Sequence, residues 1–336
     1  MSQVGAGKTV LVVGGAGYIG SHMVKSLLAH GYDTVTFDNL SNGHRDAVLG
    51  GHFVHGDLAD RELLEDIFEE FDFDGVLHFA GSIQVGESVR DPQVYYDNNL
   101  ANTLNLLRAV RRGGNPKLIF SSSAAVYGEP RQAIIDERHP CAPLSPYGRS
   151  KLMVEQIARD FAQAYGLRVF SLRYFNAAGA DPDGDLGERH APETHLIPLA
   201  LRAAFAREPC EIFGNDYSTP DGTCVRDYIH VADLCEAHRL ALEYLPRAGG
   251  FHVLNLGNGA GYSVREVLSA IEWVTGKTVP INLGPRRAGD PARLVADAKR
   301  ARAMLGWRPR YGAIETIVAH AAAFEQRRHQ HRRAAG

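Results

Sequence analysis

The chain has 336 residues, 45% of them hydrophobic, which is enough for about two domains with a sizeable apolar core. Its formal net charge is −3, from 36 basic and 39 acidic side chains, so no nucleic-acid partner is expected. The four cysteines show no C-x-x-C spacing, and they indicate neither a disulfide framework nor a zinc site; no metal is expected.

Membrane and export signals are missing from the pattern. No apolar stretch approaches the ~18 residues of a membrane-spanning helix, and residues 1–8 lack a signal-peptide core. We therefore expect a cytoplasmic protein with reduced thiols. The basic tail around Arg327-Arg328 and Arg332-Arg333 is interpreted as a solvated end.

A glycine-rich turn stands near the start of the chain. It follows the β-branched and apolar run Thr9–Val13, which is typical of a strand buried on both faces. A helical pattern then runs from Tyr18 to His30 and stops at Gly31. Strand, glycine turn and helix in this order predict a diphosphate at the helix N-terminus, although a glycine trio alone is equally compatible with an ordinary tight turn. The turn residues are Gly14, Gly15, Ala16, Gly17, Tyr18, Ile19 and Gly20.

The second strand adds a carboxylate. Residues 33–37 are followed by Asp38, near the ~20-residue offset at which an acid accepts hydrogen bonds from the adenosine ribose. Because a carboxylate there repels a 2′-phosphate, NAD is favoured over NADP.

Strand and helix patterns alternate along the first half of the chain. This alternation predicts an α/β fold with a doubly wound parallel sheet of Rossmann type, and ligands beyond the carboxyl ends of its strands. Further apolar runs lie at 52–54, 75–80, 117–120 and 167–172, and helical patterns at 60–71, 92–112 and 146–165.

Beyond about residue 178 the chain becomes rich in Gly, Pro and Asp. We predict an NAD-binding domain at 1–178 and a smaller C-terminal α/β domain for the substrate at 179–336. The segment near 224–246 could return to the first domain.

Chemistry is expected on the helix that begins near residue 146. Ser145 suits an N-cap and Pro146 the first helical position, which places Tyr147 and Lys151 one turn apart on the same face. A free phenol has a pKa of ~10, and a nearby ammonium favours the phenolate, so this pair is interpreted as a proton acceptor tuned by lysine. The alternative is an ordinary amphipathic pair. Ser123, at the end of a predicted strand, could share the substrate proton.

Several motifs together resemble the extended short-chain dehydrogenase/reductase superfamily. They are the turn 14–20, Asp38-Asn39, Phe79-Ala80-Gly81, the stretch 121–128, Tyr147 with Lys151, and Arg173-Tyr174-Phe175-Asn176. In the C-terminal half, residues 212–230 and the turn Arg286-Arg287-Ala288-Gly289-Asp290 are similar to the UDP-glucose 4-epimerases.

This resemblance implies a tightly held NAD and a UDP-hexose substrate that is epimerised at C4 through a 4-keto sugar. Tyr147 would take the proton of the 4-hydroxyl, Ser123 would hold that oxygen, and Lys151 would also bind the nicotinamide ribose. The resemblance further implies cofactor contacts from Gly14, Gly17, Tyr18, Ile19, Gly20, Asp38, Asn39, Asp57, Leu58, Phe79, Ala80, Gly81, Asn98, Ser121, Lys151 and Tyr174. It implies substrate contacts from Ser123, Tyr147, Asn176, His195, Leu196, Phe213, Arg226, Arg287, Asp290 and Leu294.

Three positions depart from the best-known family pattern. Ile83 stands where some members have a lysine that reaches the cofactor ribose, and His195 stands where others use asparagine. Leu294 stands beside the sugar C2 group, where a tyrosine should exclude a 2-acetamido group and a small residue should admit it. Use of UDP-GlcNAc and UDP-GalNAc therefore stays open.

The same residues also bear on other functions. A nucleotide-sugar 4,6-dehydratase normally has an acid pair where this chain has Ala124-Ala125. Other candidates are an NAD-dependent epimerase of UDP-pentoses or UDP-uronates and a non-catalytic NAD sensor.

The resemblance also implies a homodimer packed through helices near 92–112 and 146–165. Apolar stripes occur there at helical spacing, at Leu100, Leu104 and Leu107 and at Val154, Ile157 and Phe161. These stripes could equally face the chain's own sheet.

Overall fold

The computed structural model describes residues 7–244, 249–287 and 290–335, with side chains up to residue 330. Its strands are β1 (Thr9–Val13), β2 (Asp33–Asp38), β3 (His52–His55), β4 (Gly75–His78), β5 (Lys117–Ser123), β6 (Val169–Tyr174), β7 (Asn176–Ala178), β8 (Cys210–Phe213), β9 (Val225–Arg226), β10 (Tyr228–His230), β11 (Phe251–Leu256), β12 (Tyr262–Ser263), β13 (Ile281–Gly284) and β14 (Arg293–Leu294). Its α-helices are α1 (Tyr18–Ala29), α2 (Arg61–Glu70), α3 (Val85–Arg90), α4 (Pro92–Tyr95), α5 (Asn102–Arg112), α6 (Pro146–Tyr165), α7 (Leu196–Ala206), α8 (Val231–Tyr244), α9 (Val264–Thr275), α10 (Lys299–Leu305) and α11 (Ile314–Ala335).

A parallel sheet of seven strands forms the centre of the molecule, in the order β11-β6-β5-β4-β1-β2-β3. Side chains of β1 alternate between its two faces. Val10 and Val12 pack with α1 and α8, whereas Leu11 and Val13 pack with α2, α5 and α6. Helices on both faces of a parallel sheet confirm the predicted fold class.

Most predicted elements of the first half are confirmed, with small shifts at their ends. The helical pattern 146–165 coincides with α6, and Gly31, at φ +82°, follows the end of α1. The pattern 92–112 is not one regular α-helix, because residues 96–101 form a π-helical segment between α4 and α5. Such segments are frequent at functional sites.

The second half of the chain contributes to the large sheet as well as to smaller ones. Strand β11 pairs in parallel with β6, and α8 packs against α1 in the same apolar core. The other strands of this half form short sheets, β12-β9-β14, β13-β8 and β10-β7, and α7, α9 and α11 share a separate core. The boundary at residue 178 stays a prediction, but the first unit draws its seventh strand from residues 251–256.

No helix in the described part of the chain is both long enough and apolar enough to cross a membrane. The parallel strands β1, β4, β5 and β6 end at one edge of the sheet, and the candidate site lies along this edge.

Candidate active site

The glycine turn after β1 is packed so tightly that side chains do not fit. Gly14 has φ +79°, and a Cβ on Gly20 would lie 2.1 Å from the Gly14 carbonyl oxygen. Gly17 caps α1 without a side-chain hydrogen bond from any described residue. The first N–H groups of α1 are therefore available to a ligand oxygen, as a dinucleotide diphosphate requires. In this respect the turn fits NAD.

Asp38, at the end of β2, has a structural role that the sequence did not reveal. The side chain is buried, and its carboxylate accepts hydrogen bonds from the Ala16 N–H at 2.9 Å and the Leu40 N–H at 2.8 Å. It therefore ties the glycine turn to the second strand. A carboxylate oxygen has two lone pairs, so the predicted contact to ribose hydroxyls is compatible with these bonds.

The predicted adenine-side residues lie close together beyond β2 and β3. Asn39 Nδ2 donates to the Asp57 carboxylate at 2.6 Å, and the same carboxylate accepts the Ala59 N–H at 2.8 Å. Leu58 is buried, and its carbonyl accepts a bond from Asn105 Nδ2 at 3.0 Å.

The turn after β4 runs beside the glycine turn. The N–H groups of Phe79 and Ala80 both donate to the Val13 carbonyl, at 2.8 and 3.1 Å, and Gly81 has φ +152°. Asn98 lies in the π-helical segment and donates to Ser82 Oγ at 3.0 Å. The predicted cofactor residues of β1, β4 and the π-helical segment thus meet at one edge.

Asn99 was not singled out by the sequence. Its buried side chain accepts the Ser82 N–H at 2.7 Å and donates to the Ser82 carbonyl at 2.9 Å and to Ser150 Oγ at 3.3 Å. It therefore connects the turn after β4 to α6. In the sequence, Asn99 is marked only by its position next to Asn98. That position does not show which asparagine contacts the cofactor and which one holds the turn after β4.

The three predicted catalytic side chains meet at the end of β5. Ser145 caps α6 by accepting the Gly148 N–H at 3.2 Å, as predicted. Ser123 hydrogen bonds to the Tyr147 phenol. The Lys151 ammonium lies 6.0 Å from the Tyr147 ring centroid and donates to the Ser121 carbonyl at 2.9 Å. These residues, Ser123, Tyr147 and Lys151, are called the proton-transfer side below.

Burial dominates the electrostatics of the proton-transfer side. It raises the pKa of Tyr147, against which the hydrogen bond from Ser123 acts. It lowers the pKa of Lys151 to about 8. In the protein alone the phenol is therefore harder to ionise than a free one, which differs from the tuning that the sequence predicted. Any further positive charge brought in by a cofactor would act in the opposite direction.

Behind the proton-transfer side lies a buried ion pair. Arg173 donates to the Glu155 carboxylate through Nε at 2.9 Å and Nη2 at 2.5 Å. Ser122 and Ser171 donate to the same carboxylate at 2.6 and 2.9 Å. The sequence did not reveal Glu155, because its partners Arg173, Ser122 and Ser171 are distant from it in the chain.

Next to these groups, Tyr174 at the end of β6 hydrogen bonds to Ser121. Burial raises the pKa of Tyr174, so its hydroxyl stays protonated and can donate.

Two further arginines lie on a short strand and a loop of the second half of the chain. Arg226 of β9 donates to Asp290 at 2.7 Å, and also to the carbonyls of Val225 at 2.9 Å and Pro291 at 2.8 Å. The guanidinium of Arg287 stacks 3.9 Å from the Phe213 ring centroid. Of the predicted turn 286–290, Ala288 and Gly289 lie outside the described residues.

Leu294 links the two sides. On β14 it is paired in register with Arg226 of β9, and it packs against an apolar cluster that contains Ala124 and Phe175. Those two residues directly follow Ser123 and Tyr174. Arg226, Arg287 and Leu294 are called the nucleotide-sugar side below.

The remaining predicted substrate residues lie nearby in the fold. Asn176 begins β7 and pairs with Tyr228 of β10. His195 is the N-cap of α7, and its Nδ1 atom hydrogen bonds to Glu188. Leu196 packs against the core of α7, α9 and α11. Ile83 is 38% exposed, and at that position it offers no charge to a cofactor.

Comparison with known proteins agrees with this geometry. Residues 10–257 match the model of the NAD-dependent epimerase/dehydratase family. The UDP-glucose 4-epimerase of Halalkalibacterium halodurans is 50% identical over 313 residues, which cover 93% of this chain and 94% of the relative.

Solved structures are similarly close. That of the UDP-glucose 4-epimerase from Brucella ovis in complex with NAD superposes with a TM-score of 0.91 at 52% identity, over 94% of this chain and 97% of that one. The UDP-Glc/GlcNAc 4-epimerase of Campylobacter jejuni gives a TM-score of 0.83 at 43% identity, over 96% of this chain and 100% of that one. The chain belongs to the NAD-dependent epimerase/dehydratase family and groups there with the UDP-glucose 4-epimerases.

Proposed function

We propose that the protein interconverts UDP-galactose and UDP-glucose by epimerisation at C4 of the hexose. The observation that carries this proposal is the meeting of Ser123, Tyr147 and Lys151 at the edge where the glycine turn opens. Relatives about half identical over almost the whole chain carry the same activity in their names.

The glycine turn, Asp38 and the turn after β4 would hold the cofactor. Its diphosphate would lie against the first N–H groups of α1, where Gly14, Gly17 and Gly20 leave room for it. Asp38, Asn39, Asp57 and Leu58 would surround the adenosine, and Tyr174 and Lys151 the nicotinamide end. The chemistry that NAD supplies when bound is hydride transfer to and from C4 of the sugar.

Residues of the protein itself would transfer the proton of the sugar 4-hydroxyl. Tyr147 would take it as general base and return it as general acid, while Ser123 would hold the oxygen in line. Lys151 would favour the phenolate by its charge, which opposes the effect of burial on the Tyr147 pKa. Burial also excludes water, which strengthens the electrostatic interactions among these groups.

The nucleotide-sugar side would bind the diphosphate of UDP. Arg287 offers several N–H donors, and Arg226 keeps two of its five beside its bonds to Asp290, Val225 and Pro291. Both guanidinium groups are already held in place, by Asp290 and by Phe213. Asn176, His195 and Leu196 would complete the substrate site together with these residues. Leu294 would lie beside the sugar C2 group, and we propose that it admits N-acetylated UDP-hexoses less readily than UDP-galactose.

We propose further that the protein is a cytoplasmic homodimer. Leu107 and Val154, from the two predicted stripes, are buried within the chain itself, and Ile157 and Phe161 pack against its own core. Exposed apolar side chains nevertheless occur on α3, α4 and α6, where Val89 is 63%, Val94 44% and Met153 37% exposed. A second copy would cover them. Light scattering of the purified protein tests the oligomeric state, and the mass of a monomer would contradict the proposed homodimer.

The proposed activity is tested by incubating purified protein with UDP-galactose without added NAD and measuring UDP-glucose. We expect conversion by the wild type, a loss of about 10²–10⁴-fold in Tyr147→Phe, and ordinary activity in Tyr165→Phe, a tyrosine on the exposed end of α6. UDP-GalNAc and UDP-arabinose are run in parallel. Absence of conversion for every sugar, even with NAD supplied, would refute the epimerase assignment.

A further inference from the structure

Two glutamates and two histidines converge in the segment between β7 and α7. The sequence repeats the pattern Glu-x-His, as Glu188-Arg189-His190 and Glu193-Thr194-His195. One donor atom from each of the four side chains lies within 4.8 Å of the others. The spacing of cysteines gives no signal for a site made of histidines and glutamates.

Three separations between these atoms are close to those of ligands around a common point, whereas His195 Nδ1 hydrogen bonds directly to Glu188, a bond that an ion would have to replace. His190 Nδ1 lies 2.9 Å from Glu188 Oε1 and 3.8 Å from Glu193 Oε1, and His195 Nδ1 lies 3.7 Å from Glu193 Oε1. Ligands bound to zinc at about 2.0–2.2 Å in a tetrahedron are about 3.4 Å apart. The observed distances lie on both sides of this value.

Hydrogen bonding within the chain leaves part of the cluster unsatisfied. Among the described residues, Glu193 Oε2 is a buried atom without a hydrogen-bond partner, and the Arg202 guanidinium lies 3.7 Å from it. His190 Nδ1, in contrast, lies within hydrogen-bond distance of Glu188 Oε1. The Glu193 side chain is only 1% exposed. Its other oxygen is fixed by the N–H groups of Thr194 and His195, at 2.9 and 3.0 Å. Buried polar atoms normally have partners, so this cluster is incomplete without a further group.

Charge points in the same direction. Two glutamates face two histidines here, and the nearest arginine contact, from Arg202 to Glu193, is 3.7 Å long. A divalent cation would offset the charge of both carboxylates.

A second acidic cluster on the same connection shows the contrast. Asp181, Asp183 and Asp185 also bring their oxygens together, but the Lys25 ammonium already binds all three, at 2.5, 3.0 and 2.8 Å. That cluster has its cation within the chain.

We propose that Glu188, His190, Glu193 and His195 bind one divalent transition-metal ion of the zinc class. Imidazole nitrogens with carboxylate oxygens suit zinc better than calcium or magnesium, and four protein donors are typical of a structural site. The ion would fix the segment 188–195 between α1 and α7. Its beginning is already anchored, because the His190 ring packs edge-on to Tyr18 and Arg189 binds Asp46 at 2.8 Å.

Such a site shares His195 with the proposed substrate site, but it needs none of the residues of the proton-transfer side. It also leaves His195 Nε2 free for a nucleotide, since the ion takes Nδ1.

The test uses full-length protein without a histidine tag, stripped with a chelator and equilibrated with zinc chloride. After gel filtration we expect about one zinc per wild-type chain and almost none in Glu188→Gln/His190→Gln. His52→Gln, an exposed histidine away from the cluster, and Asp183→Asn should bind zinc as the wild type does. Zinc should raise the melting temperature of the wild type and leave that of the double variant unchanged.

Equal zinc binding by wild type and double variant would overturn the proposal, and so would the absence of binding to the wild type. If the double variant does not fold, the visible spectrum of the cobalt-substituted wild type decides. Intense bands of four-coordinate cobalt support the site, and the weak bands of six-coordinate cobalt overturn it.

Discussion

The proton-transfer side and the nucleotide-sugar side differ in how their functional groups are held. Ser123, Tyr147 and Lys151 are carried by a buried strand and by a helix of 20 residues. Arg226 and Leu294 are carried by strands of two residues each, and Arg287 by a loop. On the first side, burial sets the proton affinity of Tyr147 and Lys151. On the second, paired charges and ring stacking orient the donors.

This difference matches the roles proposed for the two sides. Proton transfer depends on pKa values, which respond strongly to the removal of water. Recognition of a diphosphate depends on the placement of several N–H donors, which tolerates exposure. Changes on the first side should therefore affect stability and pH dependence, and changes on the second should affect the choice of substrate.

The largest effect is expected at the buried ion pair behind the proton-transfer side. Glu155→Gln leaves the Arg173 guanidinium without its counter-charge, and we expect the free energy of unfolding to fall by about 3–5 kcal/mol. The matched control is Glu236→Gln on α8, whose partly exposed pair with Arg239 should contribute less than about 1 kcal/mol. Urea unfolding measures both. Equal losses would show that burial does not distinguish the two pairs.

A smaller effect is expected from the buried lysine. The pKa of Lys151 is about 8 in the folded chain and near its ordinary 10.5 when unfolded. Between these two pH values the unfolded chain binds more protons than the folded chain. The free energy of unfolding therefore increases as the pH rises. From pH 7.5 to 9.5 the wild type should gain about 2 kcal/mol relative to Lys151→Met.

The control for this pH dependence is Lys299→Met, because the Lys299 side chain is 87% exposed. Its unfolding free energy should follow the wild type across the same range. Parallel curves for wild type and Lys151→Met would contradict the lowered pKa of Lys151.

The smallest effect is expected on the nucleotide-sugar side. Leu294→Tyr adds bulk at the position proposed to lie beside the sugar C2 group, and kcat/KM for UDP-GalNAc relative to UDP-galactose should fall about 10-fold. Leu294→Ala should raise the same ratio, and stability should change little, because Leu294 is only partly buried. A ratio that neither substitution changes would remove Leu294 as the determinant of selection.

Local patterns predicted the framework of the cofactor half. Strand β1 and helix α6 have the predicted bounds because one is a continuous apolar run and the other begins with Ser145-Pro146 and ends before Gly166. These signals involve residues that are close together in the sequence, so they can be recognised without knowledge of the fold.

Contacts between distant residues were not predictable in the same way. That residues 251–256 complete the large sheet, or that Asp38 binds the Ala16 N–H, depends on segments brought together only by the fold. Glu155 and Asn99 were missed for the same reason, since a buried polar residue is recognised by its partners. The C-terminal motifs were recognised only by resemblance, because short strands such as β9 and β14 are too brief to show a period.

The structural role of Asp38, added to its proposed contact with the ribose, limits how the cofactor preference could be changed. A redesign for a phosphorylated ribose would replace this acid with a neutral or basic side chain. The same replacement would release the Ala16 and Leu40 N–H groups and loosen the turn that receives the diphosphate. Evolution toward NADP would therefore need a compensating second substitution in the turn. Both the charge of Asp38 and its hydrogen bonds to the turn would maintain the preference for NAD.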